Sequence, residues 1–470
     1  MDIRRRKLSF NEEDMPTELS SRPKKTHFLS CKPSRIVIML GILFFIYIAI
    51  ASNIQPLKLG LSAFDGLASS LNLQKPSYVV IIDAGSTGSR VLAFTFHTSI
   101  FNGELILDNE LYSEIKPGLS SFADRPKEGI KSLEKLLKKA KDVIPVSEWA
   151  HTPISLKATA GLRLLPPEKA NAIIEECKNF FESSGFLTTK NSVSIMEGAD
   201  EGIYAWFTVN FLIGQLSTRH NENTAAVLDL GGGSTQVTYS PDEEDLKKIS
   251  KHVYSINAFN HNMSLYTHSL LGMGLMAARK AILTANLDMK NVNPGDTVEV
   301  RSECVNPIVS TEWSYHGINY LVRGPTKGAH RVIRNKKYSE EDRPIVRIPE
   351  CLKIIKKYIE SVKEKPIGLN KHTIYAVSYY FERAAEVGLV DPFTGGVISL
   401  GEFHKMMIDT CNYANADQPF MCLDLSFIYI LLHDCFGLDN STKLHLYKKY
   451  NGHELSWSLG AAFNLLDKNF

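Results

Sequence analysis

Two segments of this chain place an aspartate at the end of an apolar run and follow it with glycines and hydroxyl side chains. The first reads Val79-Val80-Ile81-Ile82-Asp83-Ala84-Gly85-Ser86-Thr87-Gly88-Ser89-Arg90. The second reads Ala226-Val227-Leu228-Asp229-Leu230-Gly231-Gly232-Gly233-Ser234-Thr235-Gln236-Val237. Glycine tolerates positive φ and lets backbone N–H groups come close to a phosphate. Ser86, Thr87, Ser89, Ser234 and Thr235 add hydroxyl donors. Asp83 and Asp229 facing one phosphate chain would repel it unless a divalent cation, Mg²⁺ or Ca²⁺ bound partly through water, lay between them. One such turn is an ordinary hairpin; two with matching aspartates and hydroxyls point to a duplicated fold that grips phosphate from both sides. No Gly-x-x-x-x-Gly-Lys-(Ser/Thr) occurs, which excludes a Walker loop, and no His-Glu-x-x-His or Cys-x-x-Cys indicates zinc.

Two further segments lie between these turns. Lys157-Ala158-Thr159-Ala160-Gly161-Leu162-Arg163 follows a short strand and precedes a helix begun by proline, the arrangement of an anion site at a helix N-terminus. Glu197-Gly198-Ala199-Asp200-Glu201-Gly202 opens a largely apolar helix. Acids there suit the helix dipole, and Glu201 is a candidate general base for water.

The elements that must position these residues follow from periodicity. Ile130, Leu133, Leu136, Leu137, Ala140 and Val143 form a helical stripe over residues 128–143, and a second covers 167–181. Strands are expected at 154–158 and around Asp229, and helices at 200–216, 270–283 and 457–466. Residues 290–350 are rich in proline and charge, carry no long apolar stripe, and read as an insertion. Alternating β and α segments predict an α/β fold with mixed sheets. A chain of 470 residues, 44% hydrophobic, exceeds what one core holds, and a net charge of +2 gives no bulk attraction for nucleic acid.

Residues 1–35 carry nine Lys/Arg against five acids, and Ile36 to Ala51 follows without a charge. A long basic tail before a bulky apolar run, extendable to residue 54, reads as a retained signal-anchor rather than a cleaved signal peptide. The positive-inside rule leaves the tail cytosolic, and a short span favours ER or Golgi membranes. Residues 55–77 read as a stem whose cleavage would give a secreted form. Asn262 and Asn440 head glycosylation sequons on the lumenal side. Six cysteines follow the anchor, and an oxidising lumen permits 15 full pairings. Cys177 falls on an apolar helical face and reads as a buried free thiol.

Taken in order, Asp83–Arg90, Ala158–Arg163, Glu201–Asn210 with Trp206, Asp229–Gln236 and Ser456-Trp457-Ser458-Leu459-Gly460 resemble the five motifs of the nucleoside triphosphate diphosphohydrolases, or apyrases, of the actin–Hsp70–hexokinase superfamily. The resemblance covers roughly residues 78–466. It implies two actin-like, RNase H-like lobes around a cleft: lobe I of residues 78–204 completed by 445–470, and lobe II of residues 205–444. It also implies roles by position. Asp83 and Asp229 would hold Ca²⁺ or Mg²⁺ through its waters. Ser86, Thr87, Gly88, Arg90, Thr159, Gly231, Gly232, Gly233 and Ser234 would cradle phosphate. Glu201 would be the base, with Ser234 and Gln236 orienting the attacking water. Tyr379, Tyr380 or Trp457 would sandwich the nucleobase. One N-terminal anchor, with the segments Tyr266–Arg279 and Gln418–Ser426, resembles the ER/Golgi nucleoside diphosphatases that act on UDP and GDP, with IDP a further candidate substrate. That subgroup implies the pairs Cys304–Cys351 and Cys411–Cys422, from which Cys435 departs. The rival readings are an exopolyphosphatase-like phosphohydrolase and a catalytically inactive binding protein.

Overall fold

The computed structural model describes residues 40–44, 47 and 74–466, apart from 100–102, 104, 217–222, 259–260, 335–339 and 363. The basic tail, most of the apolar run and most of the stem lie outside the described residues. Residues 40–44 and 47 are helical and exposed. Among the described residues no helix is long and apolar enough to cross a membrane. From Asn72 onward the chain forms one compact unit.

Strand β1 (Ser77–Ala84) is apolar on both faces. Val79 and Ile81 join one buried cluster, Val80 and Ile82 another, so β1 must lie inside a sheet covered on both sides. It does, with β2 (Ser89–Thr98), β3 (Leu105–Ile115), β4 (Ile154–Ala158) and β5 (Val193–Ile195), in the order β3-β2-β1-β4-β5. A second run gives β6 (Ala226–Leu230), β7 (Ser234–Tyr239), β8 (Val253–Ala258) and β9 (His261–Leu271). Residues 290–350 follow as β10 (Thr297–Arg301), β11 (Ser310–Tyr315) and β12 (Ile318–Arg323) in one small sheet, and β13 (Ala329–Arg334) and β14 (Glu340–Ile345) in another. The chain then returns to the second large sheet through β15 (Ile374–Ser378), β16 (Gly396–Ser399) and β17 (Lys443–Leu446), giving β16-β17-β15-β6-β7-β9-β8.

The segment β9-β7-β6-β15-β17 repeats β3-β2-β1-β4-β5 strand for strand. Each central strand has an antiparallel hairpin partner, β2 or β7, and a parallel partner, β4 or β15. Asp83 and Asp229 stand at the same place, one residue before the end of the central strand. The duplication expected from two turns therefore extends to five strands.

Helices α1 (Pro126–Val143), α2 (Ala160–Arg163), α3 (Pro167–Glu182) and α4 (Gly198–Leu212) alternate with the strands of the first half. In the second half come α5 (Leu275–Leu283), α6 (Ile348–Ile359), α7 (Tyr379–Glu386), α8 (Leu400–Cys411), α9 (Met421–Ile430) and α10 (Trp457–Leu466). α1 and α3 bury their stripes on the outer face of the first sheet. α5, α6, α8 and α9 cover the outer face of the second. α4 and α10 lie between the sheets, where Trp206, Phe207, Trp457 and Phe463 pack with Val79 and Ile81 on one side and Val227 and Leu265 on the other. A helix buried on nearly every side has no continuous polar stripe, which is why this helix reads as largely apolar.

Two expectations are corrected. The helix expected over 270–283 begins only at Leu275, because Leu270 and Leu271 pair with Thr235 and Ser234 as the end of β9. The helix expected to reach residue 216 ends at Leu212, and Gly214 follows at φ +77°. The insertion is strand-rich, its strands too short for a long stripe. Cys304–Cys351 ties it to α6, and Cys411–Cys422 ties α8 to α9. Cys177 and Cys435 are buried and unbonded, and Asn262 and Asn440 are exposed.

The crossing of α4 and α10 depends on Gly460. A Cβ there would lie 2.5 Å from the Tyr204 carbonyl oxygen and 2.8 Å from its Cα, and the Gly460 N–H donates to Thr208 Oγ1 at 3.0 Å. Gly460→Ala should part these helices and lower stability by about 1–3 kcal/mol. Thermal unfolding checks this, and an unchanged midpoint would show that the crossing has slack.

Candidate active site

Three carboxylates meet in the cleft between the two large sheets: Asp83 from β1, Asp229 from β6 and Glu201 from the first turn of α4. Each is 6% exposed. Burial disfavours the charged form and raises each pKa. Glu201 is pushed up to about 8, mainly by burial; Arg163 opposes the rise, and Asp229 and Asp83 add to it. Asp83 is pushed up to about 6 by burial, against the pull of Arg90. Asp229 is raised by burial too, opposed by a hydrogen bond from Ser378 and by Arg90.

Arg90 Nη1 donates to Asp83 Oδ2 at 3.1 Å, and its Nη2 pairs with Glu114 at 2.9 Å. Asp83 Oδ1 is buried with no hydrogen-bond partner among the described residues. A mutually repelling set of buried carboxylate oxygens, one of them unpartnered, has the donor chemistry of a hard divalent cation such as Mg²⁺ or Ca²⁺.

The two turns face each other across this cleft. A Cβ on Gly232 would strike the Ser86 hydroxyl and lie 2.8 Å from Thr87 Cγ2. The second turn is fixed from below by α5: Leu275 N–H donates to the Gly231 carbonyl at 2.9 Å, and Met276 N–H to that of Gly232 at 3.0 Å. Ser86, Thr87, Arg90, Thr159, Gly231, Gly232, Gly233, Ser234 and Trp457 all line the cleft with the three acids.

Other residues singled out by the sequence lie elsewhere. Gln236 sits behind Ser234, donating to Ser234 Oγ at 2.8 Å and to Ser269 Oγ at 2.9 Å. Gly88 packs beside Glu114 rather than lining the cleft. Tyr380 is buried in the second sheet's outer core, its hydroxyl 3.4 Å from Thr235 Oγ1, which removes it from nucleobase contact. Its neighbour Tyr379 lines the cleft instead. Asn210 is structural: its side chain clasps the backbone N–H and carbonyl of Ala225 at the entry to β6.

Two residues acquire a place that sequence reasoning did not give them. Arg163 donates through Nη2 to Glu201 Oε2 and, at 3.4 Å, to Ser234 Oγ, linking the second motif to the third and fourth. Its position at the end of a recognised motif was the available signal. Ser378 ends β15 and caps α7 at φ 59°, ψ −127°, a conformation costly for a residue with a Cβ. There it lines the cleft and reaches Asp229. In the repeat, Ser378 ends β15 as Ala158 ends β4, and nothing local in the sequence marks it.

Residues 70–469 match the family model described as GDA1/CD39 (nucleoside phosphatase) family. The chain is 42% identical over 394 residues to ectonucleoside triphosphate diphosphohydrolase 5 of Ailuropoda melanoleuca, covering 83% of this chain and 87% of that protein. It is 41% identical over 394 residues to nucleoside diphosphate phosphatase ENTPD5 of Homo sapiens, with the same coverage. With ectonucleoside triphosphate diphosphohydrolase 6 of Mus musculus it shares 36% identity over 420 residues, 86% of this chain and 85% of that one.

The raised carboxylate pKa values set the sign of a pH effect. The folded chain holds protons on these acids that the unfolded chain releases. For Glu201, stability of the cation-free protein should therefore fall as pH rises from about 4.5 to about 8. Thermal unfolding across that range should give a shallower decline for Glu201→Gln than for the parent; equal slopes would contradict the buried charge.

Proposed function

Because the chain belongs to the GDA1/CD39 (nucleoside phosphatase) family, we propose that it hydrolyses nucleoside diphosphates, UDP and GDP foremost and IDP with them, to nucleoside monophosphate and phosphate. The observation that carries this reading is the convergence of three buried carboxylates and two facing Gly/Ser/Thr turns in one cleft. The relative from Homo sapiens, named a nucleoside diphosphate phosphatase, points the same way.

Asp83 and Asp229 would hold the divalent cation, and Arg90 keeps Asp83 in place. Bound there, Ca²⁺ or Mg²⁺ would neutralise charge on the diphosphate, which is most of what phosphoryl transfer requires. Ser86, Thr87, Thr159 and the backbone of Gly231–Gly233 seat the phosphates. Glu201 accepts the proton of the attacking water. Ser234 orients that water, and Gln236 acts through Ser234. Burial, and then its two carboxylate neighbours, raise the Glu201 pKa despite Arg163, so its ionisation at neutral pH calls for further positive charge in the cleft. Tyr379 and Trp457 offer aromatic faces for the base. The lobe boundaries read from the sequence, 204/205 and 444/445, fall inside α4 and β17, so lobe I and lobe II divide at the ends of those elements instead.

The setting is the secretory-pathway lumen, at an ER or Golgi membrane. The apolar run from Ile36 to Ala51 behind a basic tail supports a single type II anchor. Two disulfides and exposed sequon residues Asn262 and Asn440 suit an oxidising, glycosylating compartment. There the enzyme clears the diphosphates left by glycosyltransferases, and cleavage in the stem would release it.

Phosphate release from UDP, GDP, IDP and polyphosphate, with Ca²⁺ or Mg²⁺, tests the substrate class. Diphosphates should be cleaved and polyphosphate spared; the reverse would overturn the reading. Glu201→Gln should lower kcat by at least about 100-fold while nucleotide binding persists. Parental turnover would remove Glu201 from the role of base.

A further inference from the structure

Arg163 is the last residue of α2, and its guanidinium sits against the first turn of α4. A Cβ on Gly198, the first residue of α4, would lie 2.5 Å from Arg163 Nη1 and would strike Ser269 Oγ. The backbone of Gly198 is helical, a conformation any residue adopts, so the missing side chain serves space rather than backbone freedom. Gly198 and Ser269 are thus two walls of a slot that the guanidinium fills. The placement works against stability. A helix N-terminus carries partial positive charge, so a cation is disfavoured there. The Arg163 side chain is 13% exposed, and its Nε is buried with no hydrogen-bond partner among the described residues. A buried, incompletely paired cation at the positive end of a helix calls for a reason other than folding.

Its two contacts supply one. Arg163 Nη2 donates to Glu201 Oε2 and, at 3.4 Å, to Ser234 Oγ. Among the described residues the Glu201 carboxylate makes its hydrogen bond through Oε2, which leaves Oε1 to the cleft that Glu201 lines. Ser234 Oγ also accepts from Gln236 Nε2 at 2.8 Å, and Ser269 Oγ, the far wall of the slot, holds Gln236 Nε2 at 2.9 Å. A hydroxyl has two lone pairs and one proton. With its lone pairs taken by Arg163 and Gln236, Ser234 can act on the cleft only as a donor. A water between the two groups would donate one proton to Glu201 Oε1 and accept from the Ser234 O–H. One lone pair then remains to face phosphorus.

We propose that Arg163 is the positioning residue of the water site: seated in the slot that glycine leaves open at 198, it turns Glu201 Oε1 and the Ser234 hydroxyl toward the attacking water. The assignment rests on the reading of Glu201 as the base. In that step the water oxygen bonds to phosphorus and its proton passes to Glu201 Oε1. The bond from phosphorus to the bridging oxygen breaks, and its electron pair leaves on the nucleoside monophosphate. Arg163 exchanges no proton. It holds the acceptor and the donor of the water site in register through the two N–H bonds of one nitrogen. A planar guanidinium suits a slot this narrow, and a flexible ammonium does not replace it. Gly198 and Ser269, which touch neither water nor phosphate in this scheme, act through Arg163 and Gln236.

The test is phosphate release by full-length Arg163→Gln, Arg163→Ala and Gly198→Ala on whichever substrate the parent cleaves. Failure of the diphosphate reading would show as a different preferred substrate, and failure of this assignment as an unmoved kcat. Arg163→Gln should lower kcat roughly 100-fold with KM near the parent's, because the groups that seat the phosphates are untouched. Gly198→Ala should lower kcat by the same route, its methyl group displacing the guanidinium. Free guanidinium at a sub-denaturing concentration should restore part of the Arg163→Ala rate by entering the slot, and should leave Gly198→Ala unchanged. Thermal midpoints show that each variant is folded, and a loss of packing alone would not respond to guanidinium. Parental kcat in Arg163→Gln or Gly198→Ala, or an Arg163→Ala rate that guanidinium does not raise, would overturn the assignment.

Discussion

The constraint on which the rest of this structure depends is the burial of three carboxylates in one cleft. Asp83, Asp229 and Glu201 sit in surroundings of low polarity, where Asp229 raises the energy of ionising Asp83 and both raise that of Glu201. A protein selected only for stability would replace such a group with apolar side chains of similar volume. Here it is kept and partly compensated, by Arg90 on Asp83, Arg163 on Glu201 and Ser378 on Asp229. The compensation is incomplete, since all three acids remain raised and Asp83 Oδ1 has no partner among the described residues. The residual imbalance suits a bound cation and a polyanionic substrate, and it makes cation affinity, proton uptake and stability one linked quantity.

The scaffold holds this charge cluster by repeating one design. Both large sheets use the same five-strand order, and both place an aspartate at the end of a central strand with a glycine-rich turn beyond it. The repeat diverges where the chemistry diverges. The first turn is braced by Arg90 and Glu114. The second is backed by the Ser234–Gln236–Ser269 hydrogen bonds and the start of α5. α4 enters between the sheets and delivers Glu201 to both turns. Close crossing with α10 at Gly460 holds α4 there, so the fifth motif acts largely through packing.

Much of this was legible in the sequence because the signals are local. An apolar strand ending in aspartate and glycine implies its own hairpin, and β1, β2, β6 and β7 form as that pattern demands. The acids opening α4 and the apolar stripes of α1 and α3 were readable for the same reason. What escaped depends on longer-range facts. Of the two tyrosines named for the base, Tyr380 is buried and Tyr379 lines the cleft, because packing on β6 sets the phase of α7. Leu270 and Leu271 belong to a strand because β7 offers them partners, although their spacing also suits a helix. Ser378 has an ordinary residue type in an unusual backbone state.

The central claim is that a divalent cation discharges the buried carboxylates of the cleft. Calorimetric titration of the full-length chain with Ca²⁺ in two buffers of different ionisation enthalpy measures it directly. Carboxylates with raised pKa values must lose protons as the cation binds, so binding near neutral pH should release protons, and Glu201→Gln should reduce that release. Calcium binding with no proton release, or with a release that Glu201→Gln leaves unchanged, would contradict the account.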